Sequence, residues 1–172
     1  MNSSTEQNLP PTTYDFRDGA GPVPAARHRN PDGSLGGWVA ATAFAAPTAF
    51  VGEAAEVFGA AEVSGAARVS GDAQVRGGAQ VRGDAQVRGD ALVSGAARVS
   101  GTARVFGTAL VSGHARVFGA AAVFGHARVF GTALVAGNAR VWGDALVGGT
   151  ARVSGDALVS GTALVSGNEV RE

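Results

Sequence analysis

Gly71-Asp-Ala-Gln-Val-Arg76 and, far downstream, Gly155-Asp-Ala-Leu-Val-Ser160 are one phrase: Gly-x-Ala-x-Val-x. From Gly59 to Ser166 it repeats every six residues without an insertion. Gly, Ala and Val occupy positions 1, 3 and 5, which point the same way in an extended chain. Val at position 5 is β-branched and suits a strand. Ala at position 3 implies a narrow interior. Gly at position 1 permits the positive φ of a sharp corner. A helix is excluded, because each interior Gly would cost it about 1 kcal/mol and a six-residue period drifts around a 3.6-residue turn. The remaining solution is a β-solenoid of short strands and corners, each coil stacked on the last.

The run resembles the hexapeptide-repeat superfamily from about Leu35 to Asn168. Its usual phrase is an aliphatic residue, Gly, two free positions and a small residue. Here the Gly comes one place later, as in Val81-Arg-Gly-Asp-Ala85. That variant is similar to uncharacterised bacterial and phage repeat proteins more than to the acyltransferases. The resemblance implies a triangular left-handed β-helix with three hexads per coil. General chirality rules favour right-handed crossovers, so the hand rests on the resemblance alone. Three imperfect hexads, starting at Ala41, Pro47 and Glu53, precede eighteen regular ones. The expected fold is all-β, with 18 residues per coil and about seven coils, roughly 34 Å long at a strand spacing of ~4.8 Å. Residues 1–13 read as a disordered tail, 14–34 as an irregular N-terminal cap and 35–172 as the β-helix.

The cap is expected to plug an open solenoid end with Phe16, Val23 and Trp38. Arg27, His28 and Arg29 are read either as an anion site or as a solvated cap loop. Cys is absent, so disulfides and thiolate metal sites are excluded. Formal net charge is zero, so the whole molecule carries no general attraction for a polyanion. No signal-peptide order is present at the N-terminus. The uncharged stretch from Ser34 to Gly52 is long enough to span a bilayer, but it already carries the repeat register and reads as the first coil. A cytoplasmic location is expected, with a phage particle component as the other setting.

An 18-residue coil stacks residues 18 apart and turns the sequence into columns. Position 4 gives one column containing Leu92, Leu110, Leu146 and Leu164. Position 6 gives a corner ladder of Phe106, Phe124 and Trp142, with Phe118 and Phe130 on the other corners. Between Asp90 and Asp144 no acidic residue occurs, while Arg98, Arg104, Arg116, Arg128 and Arg140 do. The middle of a neutral rod is therefore a basic, aromatic belt. Apolar ladders and Arg beside aromatics suit a homo-oligomer interface. They equally suit an anionic ligand, a glycan or a nucleic acid.

Acyl transfer is the activity that the resemblance implies, through a His base, an extra loop and a cofactor groove. This chain has His114 and His126 on the coils and no interrupting loop. A zinc site needs several converging His ligands, and these two fall on different corners. No catalytic residue, metal or cofactor is assigned. The leading expectation is a non-enzymatic structural or interaction rod. It self-associates through its aromatic and leucine columns, with end-to-end contact at the C-terminal coil and no membrane partner. The alternatives are an anion, glycan or nucleic-acid binding module using the belt, and an acyltransferase-like enzyme.

Overall fold

The computed structural model describes residues 12–167 and 169–171. Five strands lead in: β1 (Thr13–Tyr14), β2 (Val23–Arg29), β3 (Leu35–Ala40), β4 (Phe44–Ala45) and β5 (Phe50–Val51). One short strand per hexad follows, from β6 (Glu56–Val57) through β22 (Arg152–Ser154) and β23 (Leu158–Val159) to β24 (Leu164–Ser166). The last strand is β25 (Glu169–Arg171). The strands form three sheets, and along the coils each sheet takes every third strand. Pairing is parallel with partners 18 residues apart, as in Leu92↔Leu110, Arg98↔Arg116 and Arg104↔Ala122. The 18-residue coil and its three faces are as the expectation of three hexads per coil has them.

Main-chain polarity fixes the stacking. The N–H groups at positions 4 and 6 donate forward to carbonyls at positions 3 and 5 of the next coil. Arg104 N–H reaches Ala121 O at 2.9 Å, and Phe106 N–H reaches Val123 O at 3.0 Å. Inside, Ala at position 3 and Val at position 5 are fully buried along nearly the whole rod. Glycine is needed twice over at the corners. Gly101 has φ +71°, and a Cβ there would meet the carbonyl oxygen of Gly119 at 2.9 Å. Any side chain at position 1 would therefore strain the backbone and hold the coils apart.

The N-terminal segment is more regular than its Gly and Pro content suggests. β1 pairs antiparallel with β2, and β2 pairs antiparallel with β3. This meander extends the first sheet. Thr13, inside the span expected as a tail, lies in β1; the rest of that expectation, residues 1–11, lies outside the described residues. Phe16, Val23 and Trp38 do come together, with Tyr14, Ala25, Ala40 and Phe58. They pack against the outer flank of the first sheet and do not plug the core. Trp38 is in register with Glu56, an outward position, whereas Ala26 is in register with inward Val39.

At the other end, the coil continues past the last regular hexad. β25 pairs with β22 in the register Arg152↔Glu169, one residue short of the repeat. Val170 packs on the core, and Val153 is fully buried. The Ser34–Gly52 stretch forms β3, β4 and β5. Among the described residues no helix is long and apolar enough to cross a membrane.

Candidate functional site

Phe106, Phe124 and Trp142 stand in one column. The Phe106 and Phe124 centroids are 4.8 Å apart with planes 1° apart, and those of Phe124 and Trp142 are 5.7 Å and 5° apart. The Arg88 guanidinium, one coil earlier, covers the free face of Phe106 at 4.9 Å. Both faces of Phe106 and of Phe124 are thus covered by neighbours, and their edges turn outward. Phe118 stands apart under the Arg116 guanidinium. Phe130 lies over Gly148, where a Cβ would come within 2.4 Å of its ring.

The leucine column is less exposed than its composition implies. Leu92, Leu110 and Leu146 are half-buried, because each side chain lies under that of the next coil. Leu158 and Leu164 are 57% and 68% exposed. They sit on β23 and β24, which end two of the sheets among the described residues.

Beside the aromatic ladder, the third sheet carries a recess. Arg104, Ala122 and Arg140 are consecutive in register. Ala122 interrupts an otherwise long-chain column, and Ala120 beside it is equally short. The result is a groove of about 290 Å³ lined by Thr102, Arg104, Phe106, Ala120, Ala122, Phe124 and Arg140. Ala120, Ala122 and Thr102 are site residues that the column reading passed over. Their signal is the hexad Gly119-Ala-Ala-Ala-Val-Phe124, in which both outward positions before the ladder are Ala.

Arg27, His28 and Arg29 are each engaged within the cap. Arg27 donates to Gly36 O, lies over Trp38 at 5.4 Å and stands 3.7 Å from Glu53. His28 Nε2 is 3.0 Å from Ala49 O, and Arg29 donates to Gly33 O at 3.2 Å. All three border a shallow groove of about 520 Å³ between β2 and β4. Their present roles are to hold the meander and to satisfy edge carbonyls.

Glu56, at an outward position of its hexad, is only 3% exposed. It accepts hydrogen bonds from Tyr14 Oη at 2.8 Å and Gln74 Nε2 at 2.9 Å. The bond to this carboxylate, aided by burial, raises the Tyr14 phenol above its ordinary value. Glu62 is held below the usual glutamate range, chiefly by the Arg82 guanidinium at 2.8 Å. That ion pair, and Arg88 on Phe106, occupy the arginines of both Arg-Gly-Asp tripeptides, Arg82–Asp84 and Arg88–Asp90. Corner threonines are structural too: Thr102, Thr108 and Thr132 each donate to a glycine carbonyl of the next coil. His126 Nδ1 lies 2.6 Å from Thr108 Oγ1. His114 is on a different corner, so the two imidazoles do not meet within the chain.

Comparison with protein families matches residues 151–167 to the YdcK beta solenoid repeat. No curated protein and no solved structure matches the chain. The matched segment is a strand-and-corner stretch of the kind found all along the rod. By fold and by that segment, the chain is a β-solenoid repeat protein.

Proposed function

We propose that the protein is a non-enzymatic interaction rod that associates with further copies of itself. One observation carries the reading: Leu158 and Leu164 are exposed on adjacent faces of the same coil, on strands that end two of the sheets among the described residues. Exposed apolar groups of this size mark association surfaces, and an end strand offers main-chain groups for further pairing. The aromatic ladder supplies a lateral surface of ring edges flanked by arginine, a composition that suits an interface between subunits.

The test is the molar mass in solution, measured by light scattering over a range of concentrations. The expected result is a species larger than 17.0 kDa. Leu158→Ser with Leu164→Ser should reduce it if the contact is end to end. Phe124→Ser with Trp142→Ser should reduce it if the contact is lateral. A wild-type protein that stays monomeric at the highest concentration overturns the proposal.

A further inference from the structure

We propose that the recess over Ala122 is a binding site for an oxyanion group (phosphate, sulfate or carboxylate) held between Arg104 and Arg140. This is independent of self-association. The two arginines flank Ala122 in register, one coil before it and one coil after it. Neither guanidinium has an ion pair, a hydrogen bond or a ring contact among the described residues, unlike Arg82 with Glu62 or Arg116 with Phe118. Both line the same groove, whose floor is Ala120 and Ala122. The missing side chain at 122 is what lets two guanidiniums from non-adjacent coils address one volume. A third arginine there would fill it.

The surroundings favour negative charge. No lining residue is acidic. In the neighbouring column, Asp84 lies a coil before Thr102. Asp156 lies a coil after Asn138 and accepts a hydrogen bond from its amide at 2.9 Å. On the other side, Phe106 and Phe124 stack face to face, so they turn their edges outward. Ring edges are the positive part of the aromatic quadrupole. Guanidinium forks then supply directed, charge-assisted hydrogen bonds to an oxyanion.

The experiment titrates the full chain with inorganic phosphate and, separately, with phenyl phosphate at constant ionic strength. Binding is followed by calorimetry and by Trp142 fluorescence in a Trp38→Phe background. Two charge-assisted contacts correspond to a dissociation constant of about a millimolar. Arg104→Gln and Arg140→Gln should each weaken binding about tenfold or more. Ala122→Arg should abolish it. Arg98→Gln, on another face, should leave it unchanged. All four positions are outward-facing, so thermal unfolding should be unaffected and loss of binding is not loss of fold. Tighter binding of phenyl phosphate than of phosphate marks the site as one for an organic ligand's charged group, and equal binding marks it as one for a free oxyanion. Absence of saturable binding by wild type overturns the proposal. So does unchanged binding in the Arg104 and Arg140 variants, or an equal loss in Arg98→Gln.

Discussion

The side-chain oxygen of Asn30 accepts a hydrogen bond from the main-chain N–H of Val51 at 2.8 Å. In the regular coils a position-5 N–H points back to the preceding coil. Among the described residues β5 has no preceding strand in its sheet, so Asn30 takes that strand's place. His28 does the same for Ala49 O. A two-group side-chain clamp thus covers the edge of β5.

Asn30→Ala should therefore destabilise the N-terminal coils by about 1–3 kcal/mol, the range for a buried donor left unmet. Asn30 is itself buried and also bonds Ser34 Oγ. Hydrogen exchange at Val51 N–H should accelerate in the variant, while amides near Val123 keep their protection. Equal acceleration in both places would mean that the rod unfolds as one unit.

Glycine substitutions should divide by position along the rod. Gly101→Ala places a Cβ 2.9 Å from Gly119 O at φ +71°. Gly161→Ala meets nothing within 4 Å at φ +64°. Gly161→Ala should cost only the left-handed backbone strain, about 1–2 kcal/mol. Gly101→Ala should cost clearly more, because two main chains must separate. Chemical denaturation of the two variants checks the order.

The aromatic ladder should stabilise through its middle member. Phe124 stacks on two rings and Phe118 on none. Stacked pairs contribute about 0.5–1.5 kcal/mol beyond burial. Phe124→Leu should therefore lower stability by about 1–3 kcal/mol, and by more than Phe118→Leu. Equal losses would show that the stacking adds nothing.

Acid should act on the Glu62–Arg82 pair. The folded state holds the Glu62 carboxyl below its ordinary value. Its contribution is fully present above the unfolded pKa and is lost as pH falls through the lower, folded pKa. Arg82→Gln should move the Glu62 titration, followed by NMR of its side-chain carboxyl carbon, upward toward the ordinary glutamate range. It should also remove that part of the acid dependence of stability.

Gly at position 1, Ala at 3 and Val at 5 were enough to set the strand, the corner and the inward face, and the resemblance to the hexapeptide-repeat superfamily supplied three hexads per coil. The reason is local: every coil repeats the same steric and hydrogen-bonding demands, so once a coil holds three hexads, periodicity fixes which residues stack. The Phe106–Phe124–Trp142 column followed directly from that arithmetic. Where the repeat ends, so does this legibility. The fold of residues 12–34 into a meander, the burial of Glu56 beneath Tyr14, and the use of Asn30 and His28 as substitutes for a missing strand all depend on contacts between segments with no shared period. The one-residue shortening before β25 likewise shows only in the pairing of Arg152 with Glu169. The recess at Ala122 stands between the two cases. Its residues are readable in the hexad Gly119–Phe124, but only stacking shows that an alanine between two arginines makes a cavity, because depth on a solenoid face is set by the side chains one coil before and one coil after.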